Sequence, residues 1–155
     1  MDKNEKDLVD SLLGSKLEVL NCEVNMLEFC FDNSLTIHVN GFGRVIKNND
    51  LLITTQDYQS WDGEESTHND EWVNMTQFRS DIVGGLVEKV ELSPINDLRL
   101  ILDNGVTIEC LIENAYPHYE DEIEQWVLFE NKYSQKTKRG FLSVYNKHTC
   151  FDYLE

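Results

Sequence analysis

Residues 27–37 read LEFCFDNSLTI, and residues 98–108 read LRLILDNGVTI. The two stretches align at a separation of 71 residues, with Asp32-Asn33-Ser34 on Asp103-Asn104-Gly105 and Thr36-Ile37 on Thr107-Ile108. In each, an apolar run enters a polar tripeptide and a second apolar run leaves it. Leu27, Phe29 and Phe31 alternate with Glu28 and Cys30, the period-two pattern of a strand with one buried face. Asn and Gly tolerate the positive φ that a tight hairpin needs. Each stretch therefore predicts an antiparallel hairpin, Leu27–Phe31 with Leu35–Val39 and Leu98–Leu102 with Val106–Cys110.

Upstream the likeness continues at a separation of 70 residues, LLGSKLEVL at 12–20 against IVGGLVEKV at 82–90, so one residue has been inserted between the two alignments. Leu8, Val9, Leu12 and Leu13 recur at helical spacing, as do Phe78, Ile82 and Val83, and each group is followed by a glycine where a helix can end in the left-handed region. Leu17–Leu20 and Val87–Val90 then read as short strands. Downstream, one more strand is expected in each copy: Leu51–Thr55, after the turn Lys47-Asn48-Asn49-Asp50, and Trp126–Phe129. In this reading Gly41–Arg44 belongs to a connection matching the segment that starts at Glu113. Phe141–Tyr145 and Cys150–Tyr153 add a C-terminal hairpin. The expected molecule is a single domain, 1–155, with repeated units at about 7–56 and 77–130 and a hairpin at 141–154. Two copies are too few for a solenoid. The fold class is mainly β with short helices (α+β), its antiparallel sheets forming a sandwich or a partly closed barrel around the alternating faces.

The copies also explain the cysteines. Cys22 aligns near Leu92, Cys30 with Ile101 and Cys110 with Val39, so three of the four stand where the other copy has an aliphatic side chain. A free cysteine serves well as a small buried hydrophobe, and no CxxC or Cys/His spacing suggests zinc.

The 155 residues carry 29 acidic and 13 basic side chains, a formal net charge of −16. Such a surface attracts basic partners and repels nucleic acid and anionic membranes. Residues 131–155 hold five of the 13 basic groups and two of the 29 acidic ones. Their loop Lys132, Lys136, Lys138, Arg139 reads as a solvated turn that neutralises a neighbouring acidic face. No apolar run nears the roughly 18 residues of a membrane span. Met1–Asp7 is charged, unlike a secretory leader, and the expected location is cytoplasmic.

If the repeated unit is scaffold, function belongs where the copies diverge. The clearest divergence is DYQSWDGEESTHNDEW, residues 57–72, a loop long enough to suggest a role of its own. It combines Tyr58, Trp61 and Trp72 with Asp57, Asp62, Glu64, Glu65, Asp70 and Glu71. Aromatic anchors with steering carboxylates are the composition of a partner-binding loop. The plainer reading, that both tryptophans tuck the loop against a sheet, stands beside it. EF-hand spacing fails, because Gly63 would put Tyr58 at the first ligand position. Ser66, His68 and Asp70 are too close in sequence for a triad, whose members converge from separate elements. A second acidic stretch, Glu113–Glu124, contains His118, Glu120 and Asp121, which suit either a solvated turn or a divalent metal. Gly41-x-Gly43 lacks the third glycine of a dinucleotide fingerprint, and P-loop, HExxH and GxSxG motifs are missing. No cofactor and no specific enzymatic activity are assigned.

The helix with its glycine end, the short strand, the Asp-Asn-Gly hairpin and the later Glu124–Phe129 run together resemble small bacterial immunity-like proteins associated with polymorphic toxins. The resemblance implies a compact acidic protein that binds and neutralises a basic toxin domain, and it transfers no site residues. The charge independently favours an acidic module binding a basic protein partner, with no nucleic acid and no membrane. The alternative is a small-ligand or divalent-metal-binding protein.

Overall fold

The computed structural model describes residues 1–23, 26–59, 77–115 and 123–154. The described chain runs α1 (Lys3–Asp10), β1 (Leu17–Glu23), β2 (Met26–Phe31), β3 (Leu35–Val39), β4 (Phe42–Lys47), β5 (Asp50–Thr54) and α2 (Thr55–Gln59). It continues through α3, described over residues 77–82. Then come β6 (Val87–Leu92), β7 (Leu98–Leu102), β8 (Val106–Leu111), β9 (Glu124–Glu130), β10 (Arg139–Tyr145) and β11 (Thr149–Leu154).

The strands form two antiparallel sheets, one ordered β1-β2-β3-β9-β10-β11 and the other β5-β4-β8-β7-β6. One apolar cluster draws on the inward faces of both: Leu27, Phe29, Ile37, Trp126, Leu128 and Leu142 from the first, Val45, Ile53, Leu98, Leu100 and Ile108 from the second. The alternation read from the sequence is real, since β2 is buried at every second position, Leu27, Phe29 and Phe31. Each such side chain contributes about 1.5–3 kcal/mol on leaving water. Against the expected sandwich or partly closed barrel, the strands form two antiparallel sheets and not a closed barrel.

Both hairpins adopt the same turn. Ser34 and Gly105 take positive φ, 67° and 82°, and their amides donate to Phe31 O and Leu102 O, each at 3.2 Å. The preceding Asp and Asn tie the turn to its surroundings. Asp32 Oδ1 accepts from Lys16 N at 2.9 Å and Asp103 Oδ1 from Leu86 N at 2.8 Å. The Asn33 amide donates to Ser11 O, and that of Asn104 to Ile82 O.

The copies meet along a local two-fold axis at the bridge between Lys16 and Leu86. Four backbone bonds there form two matched pairs. Gly14 N donates to Val87 O (2.8 Å) and Gly84 N to Leu17 O (2.7 Å), while Leu17 N donates to Gly85 O (3.0 Å) and Val87 N to Ser15 O (2.8 Å). Gly14 and Gly84 reach this geometry at φ of +80° and +96°.

Three sequence expectations need correction. α1 ends at Asp10, its first turn closed by a capping box between Asp2 and Glu5; Leu12 and Leu13 lie in the turn beyond it. Leu12 is buried there, whereas Leu13 is 59% exposed. Of Gly41–Arg44 only Gly41 lies outside a strand, because β4 starts at Phe42. The counterpart of Trp126–Phe129 is therefore β4 and not Leu51–Thr55: Arg44 lies beside Glu109 as Val127 lies beside His38. The separation of matched residues thus rises from 71 to 83, which places twelve additional residues between β8 and β9. Gly43 and Arg44 within FGRVIK, with Gly41 just before it, masked the strand. Gly43 is required there, because a Cβ would lie 2.9 Å from Leu27 Cδ1 and 3.1 Å from Val39 Cγ1.

The fourth strand of each copy leaves its own sheet. β4 pairs with β8 of the second copy, and β9 pairs with β3 of the first. Each sheet is thus completed by the other half of the chain.

Candidate functional site

Of the residues expected to bind a partner, Asp57 is described with its side chain. Its Oδ2 accepts from Thr54 N at 2.7 Å and from Thr54 Oγ1 at 3.2 Å, holding the first turn of α2. Tyr58 follows it in α2. Trp61, Asp62, Glu64, Glu65, Asp70, Glu71 and Trp72 lie outside the described residues, as do His118, Glu120 and Asp121.

The copies diverge most informatively at a place the sequence reading passed over, the outward faces of the two sheets. On the five-stranded sheet, the outward row crossing four strands is Glu91–Arg99–Glu109–Arg44. Its charges alternate and all are paired. Arg99 lies 3.4 Å from Glu91 and 3.5 Å from Glu109, Arg44 pairs with Glu109 from the other side, and Lys89 lies 2.5 Å from Glu91. The Lys89 ammonium, hydrogen-bonded to Glu91, with Arg99 beyond it, holds the Glu91 carboxyl below its ordinary pKa.

The matching row on the six-stranded sheet is Asn21–Glu28–His38–Val127. The register is the same and the chemistry is not, since glutamate and valine replace the two arginines. His38 Nε2 donates to Glu28 Oε2 at 2.7 Å, and the Asn21 amide donates to Glu28 Oε1 at 3.2 Å. The His38 ring meets the edge of Phe129 at a 5.0 Å centroid separation, and Phe129 stacks on Phe141 at 5.6 Å. One step along the strands, the Thr36 hydroxyl donates to Cys30 Sγ at 3.6 Å and accepts from the Asn131 amide at 3.1 Å. Arg79 of α3 donates to Asn21 Oδ1 at 3.3 Å.

Of these side chains, Asn21, Glu28, Cys30, Thr36, His38, Phe129 and Asn131 line a groove of about 700 Å³. Three carboxylates, Glu18, Glu28 and Asp32, border it against one lysine, Lys132, and the rings of Phe129 and Tyr133 close one side. Tyr133 is 69% exposed. The groove can therefore accept a cationic, partly planar group against polar and aromatic walls. A Glu–His pair also resembles the base and its orienting carboxylate in acid–base catalysis, but the nearby Thr36 hydroxyl is directed to Cys30 and not to the imidazole. Among the described residues no group of three or more His, Cys, Asp or Glu side chains is placed to hold a metal ion. Among them, too, no helix is long and apolar enough to cross a membrane.

The four cysteines form no disulfide. Burial, with Glu109 beside it, pushes the Cys110 thiol up, so it remains protonated packing material. In the basic loop Lys136 lies 2.5 Å from the buried Glu130, and Lys138 sits over the Tyr153 ring at 5.8 Å.

The groove was detectable in the sequence. The separation of 71 that identifies the hairpins also places Glu28 on Arg99 and His38 on Glu109, a reversal of charge within otherwise matched strands. No family model, curated protein or solved structure matches the chain.

Proposed function

We propose that the protein is an acidic protein-binding module that receives a basic protein partner on the outward face of its six-stranded sheet. One observation carries this reading: at identical register, the five-stranded sheet pairs Glu91 and Glu109 with Arg99 and Arg44, whereas the six-stranded sheet has Glu28 and Val127 in place of the two arginines and borders a groove with Glu18, Glu28 and Asp32. The net charge of −16 adds long-range attraction, which raises association rates with a basic partner and makes them salt-sensitive. The exposed Tyr133 ring beside the carboxylates is the kind of anchor typical of protein contacts. The specific form of this proposal is an immunity-type protein that neutralises a basic toxin domain, with the Asp57–Trp72 loop as a second proposed contact.

The test is affinity capture from host lysate at low and moderate salt, with the native protein and a Glu28→Arg, His38→Glu double variant as baits. That variant writes into the groove the Arg–Glu pair the other sheet carries at the same register. A basic protein held by the native bait, released by salt and lost from the variant is the expected result. Equal retention by both baits would move the contact away from this face, and retention by neither would remove the reading.

A further inference from the structure

We infer that the protein has a two-chain form in which two copies swap halves, residues 1–59 of one pairing with 77–155 of the other, so that each groove is built by both chains. The swap rests on the topology, and its consequence for binding rests on the protein-binding reading.

The strand orders carry the inference. Among the described strands, β1-β2-β3 fill one side of the six-stranded sheet and β9-β10-β11 the other, while β5-β4 and β8-β7-β6 divide the five-stranded sheet in the same way. The boundary between the halves therefore crosses each sheet at a single ladder, 35–39 with 126–130 and 42–47 with 106–111. The crossing at Lys16 and Leu86 adds its matched backbone bonds. All of these contacts join the first half to the second, and none requires the two halves to belong to one chain. A second copy supplies the same partners at the same register, which makes swapping a low-cost route to a dimer.

The covalent link is residues 60–76, which can reach about 60 Å when fully extended. Because the swap conserves the contacts, this link sets the balance between the two forms. A link of this length holds its ends at an effective concentration on the order of 1 mM. At that value roughly half of the chains are swapped at about 1 mM protein, and about 2% at about 10 µM.

The groove gives the swap a consequence. Glu18, Glu28 and His38 come from the first half, and Phe129, Asn131 and Tyr133 from the second. Across that boundary Asn131 N donates to Ser34 O at 2.8 Å, and the His38 ring meets Phe129. In the two-chain form each groove takes one wall from each chain. The particle then carries two grooves, and a partner with two basic sites gains from binding both at once.

The test uses the full chain with a protease site inserted after Gly63, unfolded in urea and refolded at about 1 mM and at about 10 µM. Light scattering at the refolding concentration should show particles of twice 18.1 kDa at the higher concentration and single chains at the lower. Cutting the link should return the double particles to single-unit mass, because the ladders alone then hold each unit together. A single-chain mass at both concentrations would overturn the inference. So would a double mass that survives cutting, which marks two closed molecules packed face to face. A complementation experiment removes the competing closed form. Phe29 and Leu128 are fully buried, one in each half, so Phe29→Asp and Leu128→Asp each bury an unpaired charge and should each lack a melting transition alone. Refolded together at about 10 µM, the two variants should recover a transition of reduced amplitude, because one of the two swapped units is free of both substitutions. A mixture that stays without a transition would count equally against the swap. If the swap is found and no basic protein is captured through the groove, the swap stands and the protein-binding reading alone fails.

Discussion

Trp126 shows how a single side chain joins parts of the molecule far apart in sequence. It is fully buried, and its indole N–H donates at 2.9 Å to Asn96 O in the β6–β7 turn. Trp126→Ala should cost about 3–5 kcal/mol by leaving a cavity. Trp126→Phe should cost about 1–3 kcal/mol, much of it from the orphaned carbonyl; urea denaturation measures both. Cys110 is the opposite case. Val39 occupies the matching place in the first copy, so Cys110→Val should cost less than about 1.5 kcal/mol. In native protein the Cys110 thiol should resist iodoacetamide while the exposed Cys150 reacts, which peptide mapping would show. The sequence foretold this contrast for Cys110 by aligning it with valine. It gave no comparable signal for Trp126, whose partner lies in a turn with no recognisable link to it.

Among the elements, the two crossings at Gly14 and Gly84 are the sharpest test of the repeat. Nothing lies within 4 Å of a Cβ placed at either, so substitution acts through backbone conformation alone. Gly14→Ala and Gly84→Ala should therefore cost similar amounts, about 1–2 kcal/mol each, and calorimetry of the two variants compares them directly. The charged row of the five-stranded sheet gives a pH signature. The Glu91 pKa is lowered in the folded state, so its contribution is present above the ordinary glutamate value and is lost as pH falls through the lowered one. Native protein should lose its stability advantage over Glu91→Gln across that acidic interval; native stability that tracks the variant at every pH would remove Glu91 from the account. The hairpins and most strands were legible because alternation and turn chemistry are local. β4 was not, because Gly41, Gly43 and Arg44 weaken its pattern and its packing depends on Leu27 and Val39 elsewhere in the chain.

For the molecule as a whole, the sequence announced two units but not how they join. Strand exchange is a matter of which distant edges meet, and periodicity carries no information about that. The exchange predicts that neither half folds by itself. Fragments 1–59 and 77–155 should each lack cooperative thermal unfolding when alone, and mixing them should restore strand circular dichroism and a melting transition. The candidate groove was legible only in retrospect, because its signal is a difference between two copies and not a motif within one. The exchange also bears on synthesis. While the ribosome has delivered only the first half, β3 and β4 each have an edge whose partner has yet to be made. Those open edges can pair with other nascent chains. They close only after residues 106–130 emerge, so exposure to aggregation during translation is set by the order in which the strands are made.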